Sequence, residues 1–158
     1  MTPIHVDVAI IGSGTAGLGA YRAARNHTDS ILLIEGGAYG TTCARVGCMP
    51  SKLLIAAAEA AHQARHADPF GVHVQRVSVD GAAVMARVRR ERDRFVGFVL
   101  ESVESIPQAH RLTAQVEFQD ANTLVTEQGQ AIHAERSVIA TGSIPVLPPQ
   151  LKGLSRRL

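Results

Sequence analysis

Two cysteines five positions apart are the side chains of this sequence best suited to electron transfer. Cys43 and Cys48 are its two cysteines, and they lie in the segment G-T-T-C-A-R-V-G-C-M-P-S-K. We expect a helix to begin just after Cys48, where the helix dipole and the nearby cation of Lys52 favour a thiolate. Such a thiol beside a partner thiol can cycle between the dithiol and the disulfide.

Three other interpretations of this pair compete with a redox couple. A structural zinc site needs four ligands, usually Cys or His, and the chain has two cysteines. A structural disulfide is uncommon in a reducing compartment. Two unrelated buried thiols would leave the glycine-rich, helix-opening segment around the pair without a reason. A redox couple accounts for both the spacing and the surroundings.

A second chemical signal is the glycine pattern G-S-G-T-A-G, which is G-x-G-x-x-G at positions 12–17. Gly12 allows a tight turn, Gly14 lets the backbone approach a pyrophosphate, and Gly17 lets a helix pack closely on a strand. The free N–H groups of that helix and its dipole attract phosphates. Glu35 follows at the end of the next predicted strand, where a carboxylate accepts hydrogen bonds from a ribose and repels a 2′-phosphate.

These residues need a framework of strands and helices, and the hydrophobic pattern predicts one. Buried strands are expected at 6–11, 30–34 and 137–140, helices at 16–25, 51–66 and 80–106, and short strands at 111–118, 123–126 and 131–134. Ser51 is the expected N-cap of the second helix. On the third helix Val84, Val88, Phe95 and Val99 share one face. The order predicts an α/β fold, a parallel sheet with flanking helices and an antiparallel β-meander inserted before the last strand.

Composition excludes several classes of protein. Of the 158 residues, 46% are apolar and 19% are charged, and the net charge is +2, which is a globular balance. No stretch reaches the about 20 apolar residues of a membrane span, and the N terminus lacks a signal-peptide pattern. We therefore expect a cytoplasmic protein with no membrane partner.

Two clusters of polar side chains on the predicted helices could suggest other partners. His62 and His66 lie four residues apart, but two ligands are too few for a specific metal site, so no metal is expected. The arginines between positions 87 and 94 alternate with Glu91 and Asp93. No aromatic stacking residues accompany them, so we expect a solvated helix face with local ion pairs and no nucleic-acid partner.

Three ordered motifs together resemble those of the class I pyridine nucleotide–disulfide oxidoreductases. They are the glycine pattern at 12–17, the cysteine segment at 40–52 and the segment A-T-G-S-I-P at 140–145. The sequence from Gly47 to Lys52 is closer to that of dihydrolipoamide dehydrogenase and mercuric reductase than to that of glutathione reductase. The resemblance implies a Rossmann-like FAD/NAD(P)-binding domain.

The resemblance also implies a cofactor and roles for individual residues. FAD would be the cofactor, and NAD(P) would act in the full-length enzyme only. Cys48 would contact the flavin, Cys43 would exchange with the substrate, and Lys52 would lie at the reactive edge of the flavin. The other residues implied in FAD binding are Gly12, Ser13, Gly14, Ala16, Gly17, Glu35, Gly36, Gly40, Thr41, Thr42, Ala114, Ala140, Thr141 and Gly142.

The function that follows is disulfide oxidoreduction. Electrons would pass from a small-molecule or lipoyl-protein dithiol, most simply dihydrolipoamide, to the Cys43–Cys48 pair, then to FAD and NAD(P). Part of a mercuric or glutathione reductase-like enzyme is an alternative. A non-catalytic nucleotide-binding remnant is another alternative, and thiols that do not react would distinguish it from a redox enzyme.

The chain departs from the family pattern in ways that bear on its extent and geometry. Thr41 and Ala114 replace common glycines, and Ala44-Arg45 replaces a usual Leu-Asn or Val-Asn. We expect residues 1–150 to form the FAD-binding domain and 151–158 to begin a linker to an NAD(P)-binding domain. The 158 residues contain neither that domain nor the dimerisation domain of the homodimeric enzymes, so we expect no reductase turnover from this polypeptide alone.

Overall fold

The computed structural model describes residues 1–144, 146 and 148–151. The strands are β1 (Ile4–Ile11), β2 (Ile31–Glu35), β3 (Arg111–Thr113), β4 (Val116–Phe118), β5 (Thr123–Thr126) and β6 (Ala131–Ile139). The α-helices are α1 (Thr15–Ala24), α2 (Thr42–Arg45), α3 (Cys48–Arg65) and α4 (Gly81–Glu104). Short 3₁₀ helices lie at Asp68–Phe70, Gln108–His110 and Pro149–Leu151. The linker expected at 151–158 lies almost entirely outside the described residues.

All six strands form one sheet in the order β3-β2-β1-β6-β5-β4. The pairs β1–β2, β1–β6 and β2–β3 are parallel. The pairs β4–β5 and β5–β6 are antiparallel. The predicted α/β fold with a parallel sheet is therefore confirmed, and the antiparallel strands extend that sheet rather than interrupting it.

The core lies on both faces of the parallel part of the sheet. In β2 the four residues from Ile31 to Ile34 are all buried, and their side chains alternate between the two faces. Ile31 and Leu33 pack with Leu18 and Tyr21 of α1 and with Val103 of α4. Leu32 and Ile34 belong to a second cluster on the other face, which includes Leu124 and Ile132. A strand buried on both faces explains the continuous apolar run in the sequence.

Several predicted boundaries were wrong, each for a local reason. Helix α3 begins at Cys48 with Gly47 as its N-cap, so Ser51 is not the cap; its hydroxyl donates to the Cys48 carbonyl at 3.0 Å. Pro50 is tolerated in the first turn because its missing N–H would have no helical partner there. Cys48 is thus the first residue of the helix instead of preceding it.

The predicted strand at 111–118 is two strands, and the predicted strands at 131–134 and 137–140 are one. At Ala114 and Gln115 the chain leaves β3, which pairs with β2, and enters β4, which pairs with β5. In β6 the charged residues Glu135 and Arg136 look like a break, but β6 continues in register with β1 through the pair Val8 and Arg136.

The long helices differ in how much they bury. Helix α4 has Asp80 as its N-cap, whose carboxylate accepts from the Ala83 N–H at 3.0 Å. Its predicted apolar face is confirmed, since Val88 is buried and Val84, Phe95 and Val99 are half-buried. Helix α3 packs against α4 yet buries none of its residues. No helix in the described part of the chain is both long and apolar enough to cross a membrane.

Two leucines provide a matched test of this core. Leu33 is fully buried and Leu54, on α3, is 47% exposed. We expect Leu33→Ala to lower the free energy of unfolding by about 3 kcal/mol, because it leaves a cavity between sheet and helices. Leu54→Ala should lower it by less than about 1 kcal/mol. Urea unfolding followed by circular dichroism measures both, and equal losses would contradict the assignment of the core.

Candidate functional site

A cleft of about 530 Å³ opens where β1, β2 and β6 end. The carboxyl ends of parallel strands meet at one edge of a sheet, which is where α/β folds bind ligands. Ten of the predicted cofactor residues line this cleft: Gly12, Gly14, Glu35, Gly36, Gly40, Thr42, Ala114, Ala140, Thr141 and Gly142. The lining also includes Ile11, Ile34, Ala38, Arg45, Val46, Gln115 and Val116.

Gly12 forms the tight turn between β1 and α1, and its backbone requires glycine. Its φ of +107° lies in the left-handed region, and a Cβ there would overlap the carbonyl oxygen of Ala140. The backbone of β6 therefore passes directly beside the turn. Gly17 serves a related purpose, since a Cβ on it would overlap the Gly12 carbonyl, so α1 packs against the turn itself.

Gly14 differs from the other two glycines of the pattern because nothing in the protein crowds it. It is the N-cap of α1 in an extended conformation, with no heavy atom within 4 Å of a Cβ built on it. No side chain caps α1, and the first turn contains no acidic residue. The N-terminal N–H groups, including that of exposed Ala16, are therefore available to an anion in the cleft.

Glu35 joins the end of β2 to the glycine turn. One carboxylate oxygen accepts the Ser13 N–H at 2.8 Å and the Ser13 hydroxyl at 2.7 Å, and the other accepts the Gly37 N–H at 2.9 Å. Burial alone would raise the pKa of Glu35, but these three hydrogen bonds and the charge of Arg45 lower it below the ordinary value of 4.5. Ser13 is fully buried beneath this carboxylate and does not line the cleft.

One wall of the cleft forms where the segment after β3 passes beside the end of β2, a contact that the sequence did not reveal. The buried Ala114 donates its N–H to the Glu35 carbonyl at 3.0 Å, immediately after β3. The next residue, Gln115, donates its side-chain amide to the Gly36 carbonyl at 3.0 Å. We did not predict Gln115, because a single glutamine inside an apparently continuous strand gives no signal of a break.

The two cysteines lie in α2 and at the start of α3, next to the residues of α2 that line the cleft. Thr41 is the N-cap of α2, and its hydroxyl accepts from the Ala44 N–H at 3.1 Å, which gives this departure from the family glycine a structural role. Cys43 lies in α2 and Cys48 begins α3. Thr42, beside Cys43, lines the cleft.

Cys43 and Cys48 are both free thiols, Cys43 half-buried and Cys48 exposed. The neighbouring Cys48 side chain is the main reason why the pKa of Cys43 is raised, with loss of solvation adding to it. The charge of Lys52, one turn along α3, acts in the opposite direction on Cys43. The two side chains are thus close enough for Cys48 to favour the protonated form of Cys43.

The remaining candidate residues lie away from these groups. The rings of His62 and His66 stack at 4.1 Å, and His66 is hydrogen-bonded to the His62 carbonyl at 2.8 Å. Within the described ranges no three His, Cys, Asp or Glu side chains are grouped so that they could hold a metal ion. Among the arginines of α4, Arg90, Arg92 and Arg94 form ion pairs with Glu91 or Asp93, as predicted.

The fold and the cleft define a Rossmann-like dinucleotide-binding domain: parallel strands, a glycine turn, an uncapped helix N terminus and a carboxylate at the end of the second strand. The sequence assigns it further. The chain belongs to the family described as pyridine nucleotide-disulphide oxidoreductase, which it matches over residues 6–157.

Individual relatives agree with this family and differ in their reactions. The chain is 29% identical to a dihydrolipoyl dehydrogenase of Geobacillus stearothermophilus, over 98% of this chain and 33% of that protein. It is 36% identical to a mercuric reductase of Shewanella putrefaciens, over 90% of this chain and 27% of that protein. The HOCl-induced flavoprotein disulfide reductase RclA from Escherichia coli superposes with a TM-score of 0.65 at 26% identity, over 90% of this chain and 29% of that one. The chain thus spans about a third or less of the length of these relatives.

The hydrogen bonds to Glu35 predict how stability depends on pH. Because its pKa in the folded state is lowered below 4.5, the stabilisation it provides is complete above that value and is lost as the pH falls through the folded-state pKa. Glu35→Gln should remove this part of the acid sensitivity. Urea unfolding at several pH values between 7 and about 3 measures it. Parallel curves for the variant and the unchanged protein would contradict the prediction.

Proposed function

We propose that this chain is the FAD-binding portion of a flavoprotein disulfide oxidoreductase, with Cys43 and Cys48 as its redox couple. The observation that carries the proposal is the position of α2. Thr42 and Arg45 of this short helix line the cleft, while Cys43 between them is close enough to Cys48 for that side chain to raise its pKa. A thiol pair attached to the wall of a nucleotide cleft is what electron exchange between a disulfide and a bound cofactor requires.

The residues present fit the ADP half of FAD. The open space at Gly14 and the uncapped α1 N terminus suit a pyrophosphate. Glu35 already accepts three of the about four hydrogen bonds that a carboxylate can take, so one position is left for a ribose hydroxyl. A second ribose hydroxyl would bind to Glu35 if the Ser13 hydroxyl rotated away, while the Ser13 N–H kept the carboxylate in place.

The chemistry of the thiol pair sets the reaction. A substrate dithiol loses two electrons and two protons to become a disulfide, and the Cys43–Cys48 disulfide becomes a dithiol with the same electrons and protons. Bound FAD would accept these two electrons from the dithiol and pass them to NAD(P) in the whole enzyme. In the reduced pair the neighbouring Cys48 favours the protonated form of Cys43, whereas the positive charge of Lys52 favours its thiolate.

We propose dihydrolipoamide, free or as a lipoyl group on a protein, as the dithiol substrate. The segment from Gly47 to Lys52 supports this class. The similarity to dihydrolipoyl dehydrogenases and to mercuric reductases is of the same order, so a mercuric reductase-like enzyme is the alternative. Because the chain covers a third of the first of these relatives, turnover, the NAD(P) site and dimer formation are assigned to the whole reductase.

Two glycines of the same pattern separate ligand binding from folding. Gly14→Ala should lower FAD affinity by about tenfold or more, because its methyl group occupies the space that the pyrophosphate needs. The free energy of unfolding should change by no more than about 1 kcal/mol. Gly19→Ala, one turn further along α1 with open space around it, is the matched control and should bind FAD normally. Flavin fluorescence titration measures the affinities.

Gly12→Ala shows the contrasting behaviour. Because its Cβ would overlap the Ala140 carbonyl, this variant should unfold at lower urea concentration than the Gly14 variant. Unchanged FAD affinity in a folded Gly14→Ala protein would contradict the proposed position of the pyrophosphate.

The cysteines are tested by the visible spectrum of the FAD-loaded protein. Gentle reduction with dithiothreitol should produce a long-wavelength absorbance band from a thiolate next to the flavin. Cys48→Ser should abolish the band, and Cys43→Ser should show it without added reductant, because Cys48 then has no partner with which to form a disulfide. Binding of FAD without such a band in any of these proteins would favour a nucleotide-binding module with inert thiols.

A further inference from the structure

Arg45 is the last residue of α2, and its side chain extends into the cleft. It is half-buried, and one guanidinium nitrogen donates to the Ala38 carbonyl at 3.0 Å. Gly40 lies beside the stem of this side chain, since a Cβ on Gly40 would be in ordinary contact with Arg45 Cδ at 3.5 Å. The local structure therefore fixes the guanidinium along one side of the cleft.

The charge of Arg45 is not neutralised by a neighbour. Among the residues that the structure describes, no carboxylate lies within the 4.0 Å of an ion pair with it. The other charged residue of the lining is Glu35, whose oxygens accept from Ser13 and Gly37. A guanidinium has five N–H donors, and the hydrogen bond to Ala38 uses one of them. The others can bind an anion in the cleft.

We propose that Arg45 binds the diphosphate of the dinucleotide, as a second anion-binding group besides the N terminus of α1. The inference rests on the proposed function, because it assumes that a dinucleotide enters this cleft. A planar guanidinium matches the paired oxygens of phosphates. Glu35 would repel a phosphate on the ribose 2′ position, so the diphosphate is the anion that this lining accepts.

The two cations near the cysteines act on different parts of the site. Arg45 helps to lower the pKa of Glu35, whereas Lys52 acts on Cys43. Arg45 is thus a determinant of cofactor binding from the same four-residue helix that contains Cys43. Replacing it should change affinity for phosphate-bearing ligands and leave the reactivity of the thiols with a disulfide reagent unchanged.

The experiment compares ADP, adenosine and FAD as ligands of the unchanged protein and three variants by isothermal titration calorimetry. Arg45→Gln should lower the affinity for ADP and FAD by about tenfold, as expected for a lost hydrogen bond to a charged group. Adenosine affinity should not change. Arg45→Lys should bind ADP more tightly than Arg45→Gln but less tightly than the unchanged protein, since lysine keeps the positive charge but lacks the paired N–H donors of the guanidinium. Arg89→Gln removes an equal charge from exposed α4 and is the matched control.

Each other outcome overturns a specific statement. If the unchanged protein binds ADP and FAD and Arg45→Gln binds them equally well, Arg45 is not the diphosphate contact, and the proposed function stands. If Arg45→Gln and Arg45→Lys both lose ADP and adenosine together, Arg45 only supports the loop through Ala38, and the inference is wrong. If the unchanged protein binds neither ADP nor FAD, the proposed function and the inference both fail.

Discussion

The close approach of three backbone segments at Gly12 is the constraint on which the site depends. The turn after β1, the first turn of α1 and the end of β6 meet there without an intervening side chain. Gly12 lies against the Ala140 carbonyl, and Gly17 lies against the Gly12 carbonyl. Hydrogen bonds from the Gly12 N–H to Ile34 and from the Ala140 N–H to Ile11 complete the junction. These contacts direct the N terminus of α1 towards the edge of the sheet, where β1, β2 and β6 all end.

Glu35 extends that junction to the remaining elements. Its side chain holds the turn through Ser13, and its backbone carbonyl accepts from Ala114 at the end of β3. One residue therefore connects the α1 side of the cleft with the wall formed after β3. The low pKa of Glu35 follows from this arrangement, since buried donors favour the charged form of the carboxylate more than burial disfavours it. The same carboxylate that suits a ribose also stabilises the cleft in its absence.

The sequence predicted the parts of this structure that depend on local pattern. The strands β1 and β2, the helices α1 and α4 and the glycine turn were all found because apolar periodicity and glycine spacing are set by neighbours along the chain. Residues whose contacts come from distant segments were missed. Gln115 became part of the cleft because β3 pairs with β2 whereas β4 pairs with β5, and a single glutamine does not signal that change. The start of α3 was misplaced because Ser51 is a favourable N-cap type, whereas Gly47 takes that position and Pro50 lies in the first turn.

The cysteine motif alone did not describe how the thiols are placed relative to the cleft. The motif indicates a thiol pair, but the four-residue helix α2 explains how that pair relates to the cleft. Thr41 caps α2 and Arg45 ends it, and both positions differ from the usual family residues. A threonine supplies a cap that a glycine lacks, and an arginine supplies a charge that an asparagine lacks. In so short a helix these two ends lie within one turn of Cys43. These two departures from the family pattern therefore flank Cys43 on the short helix that joins the cleft lining to the thiol pair.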